Sequence, residues 1–248
     1  MMYMKRINSF ICFSFFAAML FLLGNVSVSA QYYMNVVKKS GVKVQFLISD
    51  IDSVFFDKAD TSSNNYKAVD LGLSVKWAIC NIGAEKPEDY GDYYAWGEIE
   101  NKNEFTSTNY KWYDGSTLTI IKYGGDSDSL FLFLEDDVAH IKWGCNWRMP
   151  TKTEFQELRT NCTWVWSIVN GVNGFLITSN KEGYKDCSIF LPAAGSFGCS
   201  PGEYGSYWSS SLCEDFPFYA WHFNFQSKSS YLGGDSRYDG RSVRPVCP

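Results

Sequence analysis

From Thr163 to the C-terminus the chain is a succession of short apolar and aromatic segments separated by turn residues. They fall at 163–169, 172–179, 188–192, 206–210, 218–225, 229–232 and 241–246. Segments of this length, bounded by Gly, Asn, Ser and Lys clusters, read as strands rather than helices. Gly171 to Gly174 (GVNG) and Ser227 to Ser230 are expected at hairpin turns. Within 218–225 every odd position is aromatic: Tyr219, Trp221, Phe223 and Phe225. Side chains alternate across a strand, so this set is expected in the core. Phe218, Ala220, His222 and Asn224 are then expected to face outward. A chain with so many consecutive hairpin segments is restricted to a β-rich fold.

The remainder adds little helix, which makes the fold class α+β. Glu135-Asp136-Asp137 opens a short helix through about His140, with acids at the positive end of its dipole. Thr151 with Glu154 three residues on forms a capping box, and a second helix runs from there to Asn161, burying Phe155 and Leu158. Upstream, Leu71, Leu73, Val75 and Trp77 alternate, and Tyr90–Glu98 reads as an aromatic strand ending near Gly97. The polar stretch 99–130 reads as a long irregular surface region, a length that points to function. Near the N-terminus, Tyr33–Val37 and Val42–Ile48 read as strands around a Lys-Ser-Gly turn, with Asp50–Phe56 as a third. A meander of that size does not stand alone. The expected organisation is a signal peptide over 1–30, a small β-module over 31–60, a linker over 61–65 and one main domain over 66–248.

Export follows from Lys5 and Arg6, the apolar run Ile11–Leu23, and Val28-Ser29-Ala30 before Gln31. After cleavage no membrane span is expected, and the destination is the periplasm, the outer surface or the medium. The net charge of -5 falls to about -7 once the signal is gone, with no basic stripe to meet phosphates, so no nucleic-acid partner is expected. Cys80, Cys145, Cys162, Cys187, Cys199, Cys213 and Cys247 remain in the mature chain. Export permits disulfides, and the odd number leaves at least one thiol free or intermolecular. The best single bridge is Cys162–Cys247, joining the end of the second helix to the last strand. No CxxC occurs and both histidines are isolated, so neither a metal nor a cofactor is expected.

The strings VDLGLSVKWAICNIGAEKPEDYGDYYAWGE, LEDDVAHIKWGCNWRMPTKTEFQEL, IFLPAAG, YWSSS and GRSVRPV, spread over 66–248, resemble the Fibrobacter-type major paralogous domain of exported Bacteroidetes proteins. The resemblance implies a C-type-lectin-like domain, preceded here by the small N-terminal β-module, and a kinship with formylglycine-generating enzymes. It also implies kinship with binding proteins whose C-terminal surface residues are diversified by retroelements. Cys145 stands where the family pattern leads one to expect Gly, and Cys187, Cys199 and Cys213 are individual to this chain. The Glu-Pro-Asn, Gln-Pro-Asp and Trp-Asn-Asp signatures of calcium-dependent sugar-binding lectins are absent, so that activity is not carried over with the fold.

No GxSxG, HExxH or GxxxxGK[ST] string is present, and no catalytic residue is expected. Cys199 and Cys213 are too far apart in sequence to match the paired cysteines of a formylglycine-generating enzyme. Glu98 and Glu100 fit a polar strand end better than an acid pair working across a sugar. Asp126, Asp128, Glu135, Asp136 and Asp137 lack calcium-loop spacing and read as capping and solvated charge. Arg148 and Arg244 read as structural, pairing a buried carboxylate or capping carbonyls. What remains is binding. Phe218, His222, Asn224, Ser229, Tyr231, Asp235, Arg237, Tyr238 and Asp239 mix rigid aromatics with small hydrogen-bonding groups on the last hairpins. The expected function is an exported non-catalytic protein binding a glycan or protein ligand there. The alternatives are a structural or adhesive cell-surface component, and an oxidase of the formylglycine-generating type.

Overall fold

The structure, a computed structural model, describes residues 33–37, 43–47, 66–115, 120–124 and 129–248. The chain divides into two compact units, Met1–Lys58 and Ala59–Pro248. In the first, β1 (Tyr33–Val37) pairs antiparallel with β2 (Lys43–Leu47), Tyr33 opposite Leu47. The expected signal peptide, the third strand over Asp50–Phe56 and the linker lie outside the described residues.

The second unit is β-rich, with three small sheets and two short α-helices among the described residues. The sheet that carries the site is β8 (Tyr204–Leu212), β9 (Tyr219–Gln226) and β10 (Ser229–Ser236), in the order β10-β9-β8, all antiparallel. A second sheet is β5 (Cys162–Val169), β6 (Val172–Ser179) and β7 (Ser188–Pro192). The β5–β6 turn is Asn170-Gly171, with φ of 49° and 85°. Two left-handed residues match the twist of the flanking strands, as this dipeptide favours. The turn therefore precedes most of the GVNG string. Gly174 serves a different purpose inside β6, where a Cβ would lie 2.4 Å from the Leu191 carbonyl oxygen. The third sheet joins β3 (Ala68–Val69), β4 (Lys76–Ala78) and β11 (Val246–Cys247), in the order β11-β4-β3.

Two expected strands are only fragments. Tyr90–Glu98 contributes a single bridge, Tyr94 to Arg241, and 241–245 adds a bridge from Ser242 to Tyr207. Both stretches are nonetheless core. Tyr94 and Trp96 are buried, and Trp96 Nε1 donates to the Ser209 carbonyl at 2.8 Å. These irregular segments cover one face of the β8–β10 sheet, with Trp208, Ala220 and Val243 packed among Tyr94, Trp96, Trp143 and Met149. The opposite face carries Tyr207, Phe223 and Phe225 against Phe155, Leu158 and Phe175. Phe155 stacks on Phe223 with centroids 5.2 Å apart. Each such aromatic contributes about 1.5–3 kcal/mol by burial. A sheet covered on both faces corrects the expected outward set: His222 and Asn224 are buried, at 3% and 8% exposure. The other set splits, with Phe223 and Phe225 fully buried while Tyr219 is 41% exposed.

The helices start where their caps place them. Thr151 and Glu154 form the expected capping box of α2 (Lys152–Asn161), burying Phe155 and Leu158. α1 (Val138–Trp143) begins later than expected, after a 3-10 turn at Leu134–Asp136, and is capped by Asp137. The buried Asp137 carboxylate accepts from Ala139 N–H at 2.9 Å, His140 N–H at 3.2 Å and Met149 N–H at 2.8 Å. Asp137→Ala leaves two buried donors and one half-buried donor unmet, and a loss of about 2–4 kcal/mol is expected in urea unfolding. A loss below about 1 kcal/mol would show that water replaces the cap.

Arg148 forks onto Glu154, while the fully buried Arg244 donates to Asn81 Oδ1 at 2.8 Å and the Ala78 carbonyl at 3.0 Å. The expected Cys162–Cys247 bridge does not form, and every described cysteine is free. Cys162 belongs to the core cluster under α2, whereas Cys247 packs against the other cluster, on the far side of the β8–β10 sheet.

Candidate functional site

The β8–β9 connection, residues 213–218, forms a ridge between two clefts. Its sequence Cys-Glu-Asp-Phe-Pro-Phe leaves Glu214, Asp215 and Phe216 exposed, Phe216 at 62%. The first cleft, about 470 Å³, is walled by Tyr113, Ile120, Phe216, Phe218, Tyr219 and Tyr238, with Ser107 and Ser236 among them. Its floor is Arg237, only 1% exposed. Arg237 Nε donates to Tyr110 Oη at 2.9 Å, Nη1 to the Tyr123 and Pro217 carbonyls at 3.3 and 3.0 Å, and Nη2 to the Lys122 carbonyl at 3.0 Å. Its guanidinium also lies 4.6 Å from the Trp96 ring. One planar fork thus ties the loop carrying Tyr113 and Ile120 to the ridge and to the end of β10. Burial pushes the Tyr110 hydroxyl well above the usual phenol range against the opposing pull of Arg237. The hydroxyl stays protonated and donates to the Trp96 carbonyl at 2.7 Å.

The second cleft, about 430 Å³, shares Phe216 and Tyr219 with the first. Its other walls are Lys152 at the start of α2, Cys213, Glu214, Asp215, Trp221 and Gly234. Lys152 Nζ sits 3.6 Å from the Trp221 ring centroid, a cation–π contact. Burial pushes the Cys213 thiol up to about 11, so it is not a thiolate at neutral pH.

The residues singled out in the sequence do not gather in one place. Phe218 and Tyr238 line the first cleft, and Arg237 underlies it instead of facing a ligand. Ser229 and the 52% exposed Tyr231 sit toward the other end of β10, about 23 Å and about 17 Å from Ser236 along the strand. Asp235 and Asp239 both pair with Arg241, whose guanidinium lies 4.9 Å from the Trp208 ring and donates to Ser206. His222 lies beside this group, edge-on to Trp208 and Tyr231. Burial first, then Arg241, pull its pKa down from 6.5 to about 3 against the opposing effect of Asp235, and it is a neutral core residue. Asn224 is likewise interior.

Sequence reasoning missed Tyr113, Ile120, Phe216, Tyr219, Trp221 and Lys152. The one available signal was the exposed-looking CEDFPFY turn, with acids and Pro217 between strands.

Asp126 and Asp128 lie outside the described residues. Asp136 is engaged by Lys111 at 3.4 Å, Lys122 at 2.6 Å and Tyr123 Oη at 2.6 Å. Among the described residues no three His, Cys, Asp or Glu side chains are grouped to hold a metal ion, and no helix is long and apolar enough to cross a membrane. Searches against protein-family models, curated proteins and solved structures find no match to the chain.

Proposed function

We propose that the chain is an exported, non-catalytic binding protein with a C-type-lectin-like main domain, holding a neutral glycan in the first cleft. The fold part of this reading rests on the family resemblance of the strings between 66 and 248, with which the β-rich architecture agrees. The ligand part rests on one observation. Tyr113, Phe216, Phe218, Tyr219 and Tyr238 converge on a cleft in which, among the described residues, the one charged lining side chain, Arg237, is buried. Ring faces stack on the C–H faces of sugars, and phenol and serine hydroxyls serve as donors or acceptors to sugar hydroxyls. A few polar groups in a largely apolar concavity is the usual build of a small-ligand site.

The test compares the parent with a Phe216→Ala, Tyr219→Ala, Tyr238→Ala variant on arrays of neutral glycans and of proteins. Binding of neutral glycans by the parent, weakened at least about tenfold in the variant, is expected; that is about 1.4 kcal/mol. Unchanged binding in the variant, or binding confined to proteins, overturns the reading.

A further inference from the structure

We infer that the two clefts act as one groove, taking a β-linked neutral oligosaccharide that crosses the ridge rather than a single sugar. This rests on the glycan reading of the first cleft. The clefts have Phe216 and Tyr219 in common, so a ligand that touches these rings in one cleft is already at the mouth of the other. The two rings lie 6.2 Å apart, 32° from parallel, and are 62% and 41% exposed. Tyr219 and Trp221 are two positions apart on β9, so they point to the same side about 7 Å apart. The aromatic surface therefore continues past the ridge.

Beyond Tyr219 the chemistry changes. Glu214 and Asp215 bring carboxylates, and Lys152 holds an ammonium 3.6 Å from the Trp221 ring. Carboxylates accept from sugar hydroxyls and an ammonium donates to them, so this half suits the rim of a polyol ring. The two halves are of similar size, about 470 and 430 Å³. A single sugar occupies one half and leaves the other in water. A chain of β-1,4-linked glucose, whose flat rings present C–H faces to aromatic surfaces, spans both.

The experiment is calorimetric titration of the full chain with β-1,4-linked glucose oligomers of increasing length, from the monosaccharide to the hexasaccharide. The parent is expected to gain at least about tenfold in affinity from the shortest to the longest bound oligomer. The Glu214→Ala, Asp215→Ala variant, altered only at exposed side chains, is expected to lose that gain while binding short oligomers as the parent does. Trp221→Ala is expected to do the same. Binding without a gain in length, or variants that weaken all lengths equally, overturns the groove and leaves the first-cleft reading standing. No binding of any oligomer also overturns the groove. The glycan reading itself falls only if the neutral glycans of the array fail as well.

Discussion

Arg237→Ala is expected to remove about 3–5 kcal/mol of stability and to release one wall of the first cleft. The buried guanidinium satisfies the Tyr110 hydroxyl and the carbonyls of Lys122, Tyr123 and Pro217. Alanine strands these groups away from water, each at a cost of about 1–3 kcal/mol less what relaxation recovers, and leaves a cavity beside Trp96. The sum is a large share of the about 5–15 kcal/mol typical of a folded domain. Arg237→Lys keeps the charge and loses the planar fork, so it recovers only part. Two measurements follow. The urea midpoint reads the stability, and limited trypsin digestion reads the wall, through faster cleavage after Lys111 and Lys122. A loss under about 1 kcal/mol with unchanged cleavage would show that Arg237 does not hold the cleft together.

The second large effect is on acid stability. His222 is neutral in the fold down to about pH 3, whereas in the unfolded chain it takes up a proton near 6.5. The unfolded state therefore binds more protons throughout that window. The associated stability is complete above 6.5 and falls by about 1.4 kcal/mol per pH unit as pH drops below it. Asp137 acts in the opposite direction. Burial pushes its carboxyl from 3.8 up to about 6 against its three backbone donors, so its folded form takes the proton first and gains stability as pH falls from about 6 to 3.8. The parent alone therefore shows a compensated curve. Subtracting His222→Gln isolates the histidine, and the parent-minus-variant stability is expected to fall by roughly 3 kcal/mol between pH 6.5 and 4. A flat difference would mean that the imidazole is hydrated in the fold.

Local signals were legible in the sequence and second-layer packing was not. Thr151 and Glu154 mark the start of α2 because a capping box is written in four consecutive residues. Strands β6 and β7 coincide with their expected spans, β6 because it pairs with β5 across the two-residue Asn170-Gly171 turn and β7 because the polar, turn-rich residues 180–187 bound it. The alternation on β9 was half informative. Phe223 and Phe225 are covered by α2 and β6, but Tyr219 and Trp221 lie toward the cleft end of the same face. His222 and Asn224 carry polar groups into a second buried layer, and a buried polar position looks like a solvent position in a string of letters. The first cleft draws Ser107, Tyr113 and Ile120 from a stretch with no periodicity at all. Their placement depends on Arg237, more than a hundred residues away in sequence in the case of Lys122 and Tyr123.

The short β4–β11 pairing sets the order in which the domain is able to form. Trp77 pairs with Val246 and Lys76 with Cys247, and the same C-terminal stretch bridges to Arg148. These contacts close a loop of roughly 170 residues, which is among the last and slowest events on a folding route. During synthesis the β5–β6–β7 hairpins are free to form as they emerge, whereas Trp77 waits for Val246 to arrive. Until then one edge of β4 is unpaired, and a chain cut before Val246 keeps that edge open.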